Sequence, residues 1–404
     1  MCKVLHARDD YWGASLSAAA KAGHRHVCEW MLASGCRIDG DAVCSAARGG
    51  QEDLMQWLLT EMKGWYRISA VLCRSLLEAA AECWSLVALQ RLWQQLMAGR
   101  HGSNLQQQLE QLDGSGRVAI QVAAAGSTTP DWQAKVEWLE ALGYPRRAWV
   151  CGSAVRAGDG DAAVARLQWL RGRGYALEAG AVDNAVKFGN LAALSFLVEQ
   201  AGVRPTDDDL SMTAAARRGH LAVLQYLHAS GLPFYAPDVA QDAARMGHLP
   251  IVAWVVEGLG FTDGAARLLN YAAASGNLEL MTWLHVRGWA LGPTAINNGA
   301  ESGCEEALEW LVERDCPFPL DGGAYLGAAR YGDLAMLRCL HRLGCPWGPP
   351  GRLMTSCIRS VVSIDVLQCL LDLGCPKMDW EGWDGWAQME PRERHTALQA
   401  WLRR

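Results

Sequence analysis

Lysine is scarce in this chain, supplying six of its 37 basic residues, and phenylalanine occurs only five times. No apolar run comes near the roughly 20 residues of a membrane-spanning helix; the longest, Ile251 to Val256, is six residues. No Asn-x-Ser/Thr sequon occurs, and Met1 to Asp10 carries Lys3, Arg8, Asp9 and Asp10 with no apolar core, so no signal peptide is expected. A net positive balance is missing too. The 37 basic and 43 acidic residues give a formal charge of −6 and are spread along the length. That balance offers no electrostatic case for nucleic acid or an anionic membrane, so neither is expected as a partner.

The chemical motifs are also missing. There is no Cys-x-x-Cys, no Gly-x-Ser-x-Gly, no His-Glu-x-x-His and no phosphate loop ending in Gly-Lys-Ser/Thr. His24-x-His26 has no matching second pair, so no metal site is expected. No catalytic residue and no cofactor are expected. The 14 cysteines read as free buried thiols in a reducing compartment, cytoplasm or nucleus. Cys36, Cys316, Cys345 and Cys375 recur once per repeat. Stacked helices lie roughly 8–10 Å apart, beyond the ~7 Å limit of a disulfide Cα pair, so a disulfide ladder is not expected.

What is present in quantity is self-similarity. Ala215-Ala216-Arg217-Arg218-Gly219-His220-Leu221, followed by Leu224, Leu227 and Gly231-Leu232-Pro233, is a template. It recurs around Gly189, Gly219, Gly247, Gly276, Gly303 and Gly332 in steps of 30, 28, 29, 27 and 29 residues. Further copies surround Gly23, Gly50 and Gly158, with weaker ones at Trp84, Asp131 and Val362.

Each element has a physical reason. The alanine pair lets helices approach closely. The glycine stops the first helix in the left-handed conformation that only glycine reaches without penalty. The next residue, such as His220, Asn190, Asn277 or Asp333, starts a second helix. Leucines at helical spacing form its buried stripe. A second glycine follows 12 or 13 residues after the first, often ahead of a proline step such as Cys345-Pro346, and repeat ten holds Asp315 in that slot. One such unit cannot bury its own apolar face, whereas stacked units can.

Ala-Ala-x-x-Gly-His-Leu-x-x-Leu-x-x-Leu-x-x-x-Gly resembles the centre of the ankyrin repeat, and the resemblance covers roughly residues 15–378. The Gly-Cys-Pro-Trp ending at Gly344 to Trp347 is similar to short-period ankyrin-like repeats of unicellular eukaryotes. The Thr-Pro-Leu-His opening is absent and the period falls short of about 33 residues. The resemblance implies an all-α helix-turn-helix solenoid of about 12 repeats with β-hairpins reduced or absent. It also implies a non-catalytic scaffold for a protein partner, expected as a monomer. The alternative is a substrate-recruiting adaptor subunit of a larger enzyme complex, for example a ubiquitin ligase.

The expected organisation is N-terminal repeats over 1–98, a polar insertion over 99–120 and the main array over 121–378. A Trp-rich cap or truncated repeat is expected over 379–404. Within the insertion, Asn104 to Leu112 is expected as a short helix, and Trp380, Trp383 and Trp386 are expected as a cap. Trp30, Trp57, Trp138, Trp169, Phe196, Tyr226, Trp254, Trp283 and Trp310 share one slot of the second helix, where they are expected to fill the space between layers.

Two residues before the first glycine lies a recurrent basic position: Lys21, Arg48, Arg156, Lys187, Arg217, Arg245 and Arg330, with Ala274 and Glu301 as exceptions. Phe188, Arg218, Met246 and Tyr331 lie beside it. In ankyrin-like stacks this position faces the concave groove, so these eleven residues are the candidate partner-binding set. They suit an acidic or phosphorylated segment. The competing reading is that arginine favours helix C-termini and pairs with neighbouring acids such as Asp242. Salt-sensitive retention on heparin or nucleic acid would revive a nucleic-acid reading.

Overall fold

The computed structural model describes residues 13–62, 69–98, 115–156, 160–204, 209–231, 235–261, 265–360 and 362–376. The expected helix Asn104 to Leu112 and the Trp380, Trp383 and Trp386 cap lie outside these residues. Contacts divide the chain into two units, Met1–Asp208 and Asp209–Arg404. Among the described residues both are helical, with no strand, and each is a row of six two-helix layers. The expected all-α helical-repeat solenoid of about 12 repeats without β-hairpins is the fold observed.

In Met1–Asp208 the first helices are 13–21, Gly40–Arg48, Ala70–Cys83, Ser115–Ala125, Trp149–Ala154 and Ala179–Phe188. Their second helices are Arg25–Ala33, Glu52–Glu61, Leu86–Ala98, Trp132–Ala141, Gly160–Gly172 and Leu191–Ser195, the last continued by Phe196–Gln200. The helix Ser115–Ala125 therefore begins within the stretch expected as insertion and serves as the first helix of the fourth layer. In Asp209–Arg404 the first helices are Asp209–Arg217, Ala236–Arg245, Ala265–Ser275, Pro293–Ser302, Gly323–Tyr331 and Arg352–Arg359. The second helices begin at Leu221, Leu249, Leu278, Glu305, Leu334 and Ile364.

First helices pack on first helices, and the alanine pair is what lets them. Ala46-Ala47, Ala80-Ala81, Ala215-Ala216, Ala243-Ala244 and Ala328-Ala329 are all buried. Their carbonyls also close the helix. At Gly219 (φ +82°) the glycine N–H donates to Ala216 O (3.2 Å) and the His220 N–H donates to Ala215 O (3.0 Å). These are the paired bonds of a Schellman C-cap. Leucines of the second helices, such as Leu224, Leu227, Leu337 and Leu340, are buried.

The second-helix ends repeat the device. The Cys345 N–H donates to Leu340 O (3.0 Å) across Gly344, and the Cys316 N–H donates to Leu311 O (3.1 Å) across Asp315. Asp315, at φ +55°, is the one non-glycine with positive φ among the described residues. The 12-or-13 spacing of the glycines also has a cause. Where the second glycine comes 13 residues after the first, at Gly202 and Gly260, the second helix ends in a π-helical turn, Phe196–Gln200 or Trp254–Gly258. The wider turn takes up the extra residue.

The aromatic slot is half-buried or buried in most layers. Trp169 packs edge-on against Trp132 of the preceding layer (4.9 Å), Trp254 against His228 (5.9 Å) and Trp310 against His285 (5.5 Å). Trp30 departs from expectation, being 64% exposed. It belongs to the first described layer, which has no preceding helix pair among the described residues to cover it.

Candidate ligand-binding face

The last carbonyls of a helix lack intrahelical donors. In this chain the following layer supplies them. Asn277 caps its own helix, its Oδ1 accepting from the Leu280 N–H (3.0 Å), while its Nδ2 donates back to Gly247 O (3.0 Å). Asn190 does the same with the Ala193 N–H (3.0 Å) and Val155 O (3.1 Å). The His248 Nε2 reaches Arg217 O at 2.9 Å. These struts fix the C-terminal ends of three first helices, those closing at Val155, Arg217 and Gly247, against their successors, and Arg156, Arg217 and Arg245 sit at those ends.

All eleven candidates, Lys21, Arg48, Arg156, Lys187, Phe188, Arg217, Arg218, Arg245, Met246, Arg330 and Tyr331, are exposed. Lys21, Arg48, Arg156 and Lys187 stand at first-helix ends in Met1–Asp208, and Arg217, Arg245 and Arg330 at those of the other unit. Tyr331 is 74% exposed, Met246 50% and Phe188 37%. Two cations flank the Phe188 ring, Arg156 at 5.7 Å and Lys187 at 5.9 Å, and Arg245 lies over Tyr271 at 4.9 Å.

Part of the row is paired with acids. Arg217 binds Asp242 (3.1 Å) and Arg156 binds Glu82 (3.4 Å). Lys21, Arg48 and Arg330 form no ion pair among the described residues. Three contributors were not legible as part of the row: Glu82, Tyr271 and Arg359. Arg359 ends the helix Arg352–Arg359 and is exposed. Its layer lacks the glycine that marks the position elsewhere, which is why it escaped the pattern. Glu82 interrupts the positive row of Met1–Asp208, and Ala274 and Glu301 interrupt that of Asp209–Arg404. Among the described residues no group of three His, Cys, Asp or Glu side chains is placed to hold a metal, and no helix is long and apolar enough to cross a membrane.

No known family profile matches this chain, and no curated protein matches it. Solved structures do. The pentatricopeptide repeat protein PPR10 from maize is similar at 16% identity and a TM-score of 0.37, over 98% of this chain and 63% of that one. The same protein in complex with an 18-nt psaJ RNA element is similar at 16% identity and a TM-score of 0.35 over the same shares. The chain thus spans about 63% of the length of these structures. The comparison corrects two expectations, the protein-binding scaffold or adaptor and the exclusion of nucleic acid: the structures found include a repeat protein in complex with an RNA element. At 16% identity no residue here takes its role from theirs.

Proposed function

We propose that this chain is a non-catalytic binder of single-stranded nucleic acid, using the exposed basic row at the first-helix ends. The supporting observation is the juxtaposition of cations and rings at that row. Arg156 and Lys187 flank Phe188, Arg245 lies over Tyr271, and Arg330 adjoins the exposed Tyr331. Arginine and lysine neutralise phosphates, while aromatic faces and guanidinium planes stack on unpaired bases without demanding a sequence. A net charge of −6 does not oppose this, since attraction acts over about a Debye length and the row presents its charge locally. The helix-turn-helix unit, with its alanine pair, left-handed glycine and Gly-Cys-Pro step, supports reading the repeats as short ankyrin-like modules.

The test is titration of a labelled single-stranded RNA with the full chain and with the variants Lys21→Glu/Arg48→Glu and Arg245→Glu/Arg330→Glu. All four side chains are exposed, so the layers remain intact. Each pair should weaken binding by about tenfold or more at moderate salt. Unchanged affinity in both variants would refute the reading.

A further inference from the structure

The fourth layer of Met1–Asp208 lacks the Gly-His turn. A connection over 126–131 joins the helices Ser115–Ala125 and Trp132–Ala141 instead. Beside it lies a cavity of about 400 Å³ lined by Thr128, Thr129, Pro130, Trp132, Gln133 and Arg166, with two alanines of the helix Gly160–Gly172. That volume falls within the range of small-molecule sites.

Arg166 lines this cavity, and the buried Lys135 bonds Thr129, another of its lining residues. Arg166 donates from Nη1 to Ala125 O (2.7 Å) and from Nη2 to Ser127 O (2.8 Å), and its guanidinium lies 4.7 Å from the centre of the Trp132 ring. Its remaining N–H groups make no hydrogen bond and no ion pair among the described residues. Lys135, whose side chain is wholly buried, donates to Ala81 O (3.0 Å), Ser127 Oγ (2.8 Å) and Thr129 Oγ1 (2.6 Å). The one carboxylate near it is that of Asp131, at 3.6 Å. That carboxylate is itself engaged, accepting from the Leu86 N–H (2.6 Å) and the Thr129 hydroxyl (2.6 Å), and it does not cap the helix that follows it. Lys135 is thus paired with one carboxylate that is already engaged, and Arg166 forms no ion pair among the described residues. Burial lowers the pKa of Arg166, and it lowers that of Lys135 against the opposing pull of Asp131. A charge short of compensation in a partly dry site is relieved by an incoming anion.

We propose that this cavity binds a small phosphate- or carboxylate-bearing molecule, its anionic group on Arg166 and its apolar part against Trp132 and the alanines. The Thr128 and Gln133 side chains stand at the exposed rim, where they can hydrogen-bond the same group. No residue of the basic row lines the cavity, so this site and the nucleic-acid reading stand or fall separately.

The experiment is calorimetric titration of the full chain with phenyl phosphate, benzoate and uncharged phenol, repeated with Gln133→Glu and Arg166→Gln. At least one of the two anions should bind saturably and more tightly than phenol, and the tighter one identifies the head group. Gln133→Glu sets a carboxylate at the rim without touching a buried bond and should weaken that anion about tenfold. Arg166→Gln should weaken it at least as much, with a melting curve run alongside because Arg166 also ties two backbone carbonyls. Failure of both anions to saturate, equal binding of phenol, or an affinity indifferent to Gln133→Glu would overturn the proposal.

Discussion

The junction at Gly247 and the junction at Lys135 solve one problem in two ways. Both must supply donors to the carbonyls at the end of a first helix. At Gly247 a half-exposed asparagine, Asn277, does so while capping its own helix. Between the third and fourth layers the donors are the buried Lys135 ammonium on Ala81 O, with the Ser127 hydroxyl (2.7 Å) and the Thr128 N–H (3.1 Å) on Glu82 O. One junction to either side, indole and guanidinium groups take the role: Trp84 Nε1 donates to Ala47 O (2.8 Å) and Arg166 to Ala125 O. The solvated solution is modular, since one side chain serves two helix ends and can be repeated. The buried one is a network in which every member needs the others, so its loss costs more. Arg166, which ties the same connection through Ser127 O, forms no ion pair among the described residues and lines a cavity there.

That contrast orders the effects of substitution. Lys135→Met removes the buried donor, strands Ala81 O and takes the cation from beside the Asp131 carboxylate, and should cost about 3 kcal/mol in denaturant unfolding. A loss below that of Asn277→Ala would show that the buried network is no more cooperative than the turn. Gly219→Val should cost about 2 kcal/mol, because β-branched residues resist φ +82° and the new Cβ would lie 2.9 Å from the His248 ring. Asn277→Ala removes a cap and a strut together and should cost about 1–2 kcal/mol. Asp315→Gly should run the other way, gaining about 0.5–1 kcal/mol, since it places glycine where aspartate now holds φ +55°. A destabilised Asp315→Gly protein would mean that the carboxylate contributes something the geometry does not display.

The regular layers were legible because each physical demand falls on one residue type at a fixed spacing. A left-handed turn needs glycine, a close approach needs alanine, and a helix start needs asparagine or aspartate. Gly189, Gly219 and Gly332 all take the left-handed conformation that reading requires. The basic row was legible for the same reason, being tied to the glycine. Where the glycine is missing the reading thins. Arg359 has no glycine beside it to mark its position, and Lys135, in mid-helix, looks in sequence like any solvated lysine. Its partner Ala81 is 54 residues away, and only the stacking of layers reveals why a cation is buried there. Trp30 shows the converse: a slot that is interior in most layers is open in the first described one.

The basic row itself is tested most directly by the salt dependence of binding to single-stranded RNA. The logarithm of the association constant should fall linearly with the logarithm of salt concentration, with a slope of about −2 if three phosphates are neutralised. Arg245→Glu/Arg330→Glu should flatten that slope by about one or more. A slope near zero in the unaltered chain, or one identical in the charge-reversed chain, would contradict the account.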